Sequence, residues 1–177
     1  ETRIYWAVKK PVRNDQDQII GMCGISTDIT ARKQEEAELA DSRNLLKTII
    51  DVAPVRIFWK DKKSRYLGCN PAFAKDAGEA FPRDVIGKDD YQLGWKEHAE
   101  LYRHDDQQVM DSGVSKLAYE EQITFDGKTI WVRTSKVPLR NSDNETIGML
   151  GIYEEITEQR QTEEALRERL KEITCLQ

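Results

Sequence analysis

Residues 2–30 and 129–157 are one segment written twice. At a constant offset of about 127, Lys9, Pro11, Arg13, Asn14, Gly21, Met22, Gly24 and Ile25 stand in register with Lys136, Pro138, Arg140, Asn141, Gly148, Met149, Gly151 and Ile152. In each copy two β-rich runs flank an Asn/Asp-rich turn and lead at once into a charged, helix-forming stretch. The repeat unit therefore ends as a hairpin feeding a helix, and its spacing sets a domain of roughly 120 residues plus flanking helices. Residues 1–30 read as the C-terminal hairpin of a preceding copy, and the rest as one whole domain. A lone two-stranded hairpin is marginal in water, so this one is expected to need cover from a neighbouring domain or a second chain.

Between the copies the pattern changes period. Residues 31–53 are dense in good helix formers, with Leu39, Leu46 and Ile49 at near-heptad spacing and Pro54 as the stop, which predicts a linker helix. Residues 55–61 and 65–69 predict a hairpin about Asp61-Lys62-Lys63-Ser64, and Asn70-Pro71 reads as an N-cap opening a short helix that ends at Gly78. Residues 79–94 are turn-rich. A longer helix is expected from about Lys96 to Met110, closed by Gly113, and then strands over 116–125, 129–139 and 146–156, with Asp126-Gly127 as a tight turn. Residues 158–177 predict an exit helix, the start of a coiled coil, with Leu166, Leu170 and Ile173 at heptad positions. The domain proper is placed at 54–157. The fold class is α+β: a five-stranded antiparallel sheet with short helices on one face, flanked by N- and C-terminal linker helices.

Ile57-Phe58-Trp59-Lys60-Asp61, Asn70-Pro71-Ala72-Phe73, Ile86-Gly87-Lys88 and the exit Gly151-Ile152-Tyr153-Glu154-Glu155-Ile156-Thr157 together resemble a PAS domain with its PAC motif. The resemblance covers about residues 45–161 and, through the earlier copy, residues 1–34. It implies a sensory or signal-relay module of a bacterial multidomain signalling protein, in a two-component system or upstream of a diguanylate cyclase. Such a module binds a small ligand or passes a conformational signal through its flanking helices to a histidine kinase or GGDEF cyclase later in the same chain. The family carries Asp-Ile-Thr at the strand-to-helix junction. The earlier copy has it as Asp28-Ile29-Thr30, whereas Glu155, Ile156 and Thr157 form the later junction. A ligand-free dimerisation scaffold and a flavin- or haem-based redox sensor are the alternatives.

The expected ligand pocket is lined by Ile57, Trp59, Cys69, Asn70, Phe73, Trp95, Tyr102, Tyr119, Trp131 and Met149, on the assumption that these face the short helices. For haem the candidate is His104, but its neighbours Asp105 and Asp106 place it on a solvated face; it reads as a surface histidine, as does His98. For flavin, Cys69 sits at a strand end rather than in the helical segment that follows, so it reads as a buried apolar cysteine; a flavin without adduct would use Trp95, Trp131 and Asn70. No phosphate-cradling glycine motif accompanies them, and no cofactor or metal is assigned. Glu120-Glu121 reads as a polar strand edge, not a catalytic pair, and no nucleophile–base constellation supports catalysis by this segment.

A net charge of −5 and a pI near 5.2 give no footprint for nucleic acid or an anionic membrane. Three cysteines without paired spacing suggest neither disulfide nor zinc, which fits a cytoplasmic setting. The chain begins inside a strand pattern, as a piece cut from a longer protein would, and a membrane anchor upstream is compatible with that. Homodimerisation through the flanking helices at Leu39, Leu46, Ile49, Leu166, Leu170 and Ile173 is expected, because these stripes are too narrow for a globular core face.

Overall fold

The structure, a computed structural model, describes residues 2–125 and 127–175. It divides into two compact units, Glu1–Ile49 and Ile50–Gln177.

In the first unit β1 (Tyr5–Arg13) and β2 (Ile19–Asp28) form an antiparallel hairpin. Asn14 closes its turn, its side-chain oxygen accepting from the backbone N–H of Gln16 and Gln18. Trp6, Ile20, Met22 and Ile25 are exposed. The hairpin runs into α1 (Thr30–Val52), where the Asp28 carboxylate accepts from the Thr30 N–H at 3.0 Å and from its hydroxyl at 2.6 Å. This capping satisfies donors that the first helical turn leaves open. No residue of α1 is buried; Leu39, Leu46 and Ile49 are exposed along it.

The second unit is built on a five-stranded antiparallel sheet of β3 (Arg56–Asp61), β4 (Tyr66–Cys69), β5 (Lys116–Phe125), β6 (Lys128–Arg140) and β7 (Thr146–Glu155). Its spatial order is β4-β3-β7-β6-β5, so chain-distant β3 and β7 lie side by side at the centre. The connection from β4 to β5 carries α2 (Pro71–Asp76), 3-10 turns at Pro82–Asp84, Asp90–Gln92 and Lys96–His98, and α3 (Ala99–Ser112). The helix expected from Lys96 thus opens as a 3-10 turn and becomes α-helical at Ala99. Gly113, at φ +64°, ends it in the left-handed conformation that glycine takes without strain. Beyond β7, α4 (Thr157–Cys175) leaves the sheet; the expected end at Leu176 lies outside the described residues.

One face of the sheet meets these helices, and its composition corrects the expected strand phase. On β3 the inward residues are Phe58 and Lys60, buried between half-buried Ile57 and Trp59; on β6 they are Ile130, Val132, Thr134 and Lys136, with Trp131 on the other face. Ile57, Trp59 and Trp131 therefore do not face the helices. Lys60 and Lys136 take inward positions because the carboxylates of Asp90 and Asp106 await them there. Phe58 lies over Gly151, where a Cβ would collide with the ring. That close approach is why the repeated glycine is needed in this strand.

Candidate functional site

Asn70 fixes the entrance to the helical layer. Its side-chain oxygen accepts from Phe73 N–H at 3.0 Å and Ile57 N–H at 3.1 Å, and its amide donates to the carbonyls of Val55 and Ile50. Every strong hydrogen-bonding position of the side chain is thus used within the protein, so Asn70 ties β3 to α2. The helix it caps delivers Phe73 into an aromatic cluster, 4.7 Å from Phe58, 5.4 Å from Tyr66, 5.3 Å from Trp95 and 6.2 Å from Tyr153 between ring centroids. These stacked and edge contacts hold the rings in place.

Between this cluster, α3 and strands β5 and β6 lies a cavity of about 70 Å³. Its polar wall is a buried ion network. Lys60 Nζ donates to Asp90 Oδ1 and Oδ2 at 2.8 and 2.7 Å and to Asp106 Oδ2 at 2.6 Å. Lys136 Nζ lies 2.7 Å from both Asp105 Oδ2 and Asp106 Oδ1. Asp90 also accepts from the Tyr66 hydroxyl at 2.7 Å and from the Trp95 indole N–H at 3.2 Å. Lys60, Asp90 and Asp106 are each 1% exposed, so the charges persist only because they answer one another. Burial lowers the Lys136 ammonium, but Asp106 and Asp105 outweigh it and leave it raised. Burial also pushes Asp105 up, yet hydrogen bonds from Lys116 and Lys136 hold its carboxyl down to about 2. The Tyr66 hydroxyl is raised by burial first and by Asp90 second, and stays a neutral donor.

The network joins elements far apart in sequence: β3 through Lys60, the Asp90 turn, α3 through Asp105 and Asp106, and β6 through Lys136. Asp105 and Asp106 are thus anchors, not the solvated neighbours of a surface histidine. His104 itself is exposed, with its Nε2 3.1 Å from the Gln108 side chain. Glu120 and Glu121 point to opposite faces of β5: Glu120 meets Arg133 and Arg160 on the outer side, and Glu121 lines the cavity.

Among the residues expected to line a pocket, Phe73, Trp95 and Tyr102 border this cavity. Cys69 and Met149 are buried beside it without lining it, and burial raises the Cys69 thiol to about 11. Tyr119 is half-buried, its hydroxyl donating to Asp105 at 2.9 Å. Lys60, Asp90, Asp106 and Lys136 were missed. One signal was available: the repeat places Lys9 in register with Lys136, inside a strand where a solvated lysine need not recur.

A space of this size holds roughly five waters or one molecule of a few heavy atoms. Neither a flavin ring system nor haem fits it, and among the described residues no group of three or more His, Cys, Asp and Glu is placed to hold a metal ion. No helix among them is long and apolar enough to cross a membrane.

The exit from the sheet is close by. Ile156 N–H donates to Trp131 O at 2.9 Å, and the Thr157 hydroxyl accepts from Trp131 N–H at 3.0 Å. Outside, the Arg160 guanidinium lies 3.9 Å from the Trp131 ring centroid and reaches Glu120 at 3.1 Å, while Arg133 bridges Glu120 and Glu154. Glu155 is exposed and, among the described residues, its carboxylate makes no counterpart of the Asp28–Thr30 bonds.

The sequence model of the PAS_4 family, described as the PAS fold, matches residues 50–161. The chain is 31% identical over 121 residues to the methanogenesis regulatory histidine kinase FilI of Methanothrix harundinacea, a match that covers 68% of the chain and 13% of that relative. Among solved structures, the PAS domain of Bordetella pertussis BvgS is 26% identical with a TM-score of 0.58, over 75% of this chain and 98% of that one. The phage VqmA–DPO complex superposes with a TM-score of 0.59 at 20% identity, over 77% of this chain and 62% of that one.

Proposed function

The chain belongs to the PAS_4 family, and from that premise we propose that residues 54–157 sense a small molecule in the interior cavity and pass its presence to α4. The observation that carries the reading is the placement of the cavity on the Lys60–Asp90–Asp106–Lys136 network. A ligand that draws on any of these groups alters the pairing of α3 with β3 and β6. β6 also holds the first residues of α4 through Trp131. Cavity and exit helix thus share one strand. The same fold occurs in complex with DPO in phage VqmA.

The exposed stripes of Leu39, Leu46 and Ile49 on α1, and of Leu166, Leu170 and Ile173 on α4, are the parallel dimer seams through which the signal leaves. Coupling energies between sites are typically about 1–3 kcal/mol, enough to change output severalfold to a hundredfold. The receiving domain is a histidine kinase, in line with the FilI likeness, or a diguanylate cyclase, and residues 1–30 belong to a preceding copy of the same module.

Native mass spectrometry of the purified protein tests ligand binding. A stoichiometric added mass that disappears on denaturation, and is missing from a Val132→Trp variant that fills the cavity, is expected. A bare protein mass at every desolvation energy, with no small molecule in the denatured extract, favours the ligand-free scaffold and overturns the sensor reading.

A further inference from the structure

Four of the five charged side chains on the cavity wall close on one another, and the fifth does not. Lys60 is engaged by Asp90 and Asp106, and Lys136 by Asp106 and by Asp105, which has Lys116 as a second partner. Glu121 lines the same cavity from the interior face of β5, opposite Val132, and among the described residues it has no hydrogen bond or ion pair. The charge left over inside is therefore negative and sits at one carboxylate. It is felt by its neighbours: after burial, Glu121 is the largest cause raising the hydroxyls of Tyr102 and Tyr119.

The rest of the wall is dominated by rings, among them Phe58, Tyr66, Phe73 and Trp95. Ring faces attract cations, and more strongly where water is excluded. An anion would have to displace an aspartate from a lysine and would then face Glu121. A hard metal ion needs six or more oxygen ligands or a full shell of water, which this ring-lined space does not provide.

We propose that the cavity takes a small organic cation, a primary or secondary ammonium on an apolar body of a few carbon atoms, with Glu121 as its counter-ion and the aromatic rings as its walls. This rests on the ligand-sensing reading and names the chemistry of that ligand. The cavity volume of about 70 Å³ limits the body to a short chain or branched fragment unless side chains move apart.

The test uses three probes of similar shape and different charge: isobutylammonium, isobutyl alcohol and isovalerate. Each is titrated into the protein with its co-purified contents removed by dialysis, reading tryptophan fluorescence and calorimetric heat. Isobutylammonium is expected to saturate and to bind at least about tenfold more tightly than the alcohol, as a charge-assisted hydrogen bond provides. Glu121→Gln should erase that preference, while Glu120→Gln, on the opposite face of the strand, should keep it. Equal binding of alcohol and ammonium, no binding of the ammonium, or an ammonium affinity unchanged in Glu121→Gln overturns the assignment. Saturable binding of isovalerate or the alcohol with an indifferent Glu121 also overturns it, but leaves the sensor reading standing.

Discussion

Replacing Lys60 by methionine removes the centre of the buried network and exposes how much the fold relies on it. The ammonium contacts three carboxylate oxygens at 2.8, 2.7 and 2.6 Å, and its two partners are each 1% exposed. Without it, among the described residues, Asp90 retains only the Tyr66 hydroxyl and the Trp95 indole, and Asp106 only Lys136. A buried charge stripped of its partner costs about 3–5 kcal/mol. A domain of this size has about 5–15 kcal/mol in all, so the midpoint of thermal unfolding should fall by roughly 10–20 °C. In the double variant Lys60→Met/Asp90→Asn one unpaired charge is gone, the new amide still accepts from Tyr66 and Trp95, and the loss should shrink to about 1–2 kcal/mol. Urea unfolding followed by tryptophan fluorescence gives both values, provided the slope is unchanged between variants. A single variant that loses less than about 1 kcal/mol, or a double variant less stable than the single one, would refute the view that these charges persist because they answer one another.

Asp105 makes stability pH-dependent in a defined window. Its folded pKa of about 2 lies below its ordinary 3.8, so its contribution is complete above pH 4 and is lost as pH falls from there towards 2. Acid unfolding of Asp105→Asn should show a shallower loss over that interval than wild type; an identical slope would count against the Lys116 and Lys136 contacts. Glu155→Asp restores the residue that caps α1 in the first copy, and should raise stability by about 0.5–1 kcal/mol, measured by thermal melting, with no gain expected from Glu155→Gln. Leu166→Glu with Ile173→Glu puts four like charges into the proposed dimer seam, and sedimentation should show a shift to monomer; an unchanged dimer would move the interface elsewhere.

The succession of elements along the chain, the turns and the exit helix could be read from the sequence because they follow local rules, whereas the pairing of chain-distant β3 with β7 does not. Asn70-Pro71 caps and opens a helix, Gly113 closes one, and of the repeated glycines Gly151 marks where β7 is crowded by Phe58 and Gly148 where it is crowded by the Lys60 backbone. The cavity wall was harder to read for a physical reason. Lys60 and Lys136 are inside only because Asp90 and Asp106, 30 residues on and 30 residues back in the chain, fold onto them. No local pattern distinguishes such a lysine from a solvated one, and Trp59 and Trp131, expected to face the helices, lie on the other face of their strands. Residues placed by helices, Phe73 and Tyr102, and Trp95 at the start of a 3-10 turn, escaped that error because a two-residue alternation does not govern them.

Hydrogen–deuterium exchange tests the coupling between cavity and exit helix. Protein carrying its co-purified molecule is compared with the same protein stripped of it. Faster exchange is expected after stripping along α3, at Trp131 and across Ile156–Arg160, where β6 joins α4. Exchange that changes only at the residues bordering the cavity, with α4 untouched, would contradict that coupling.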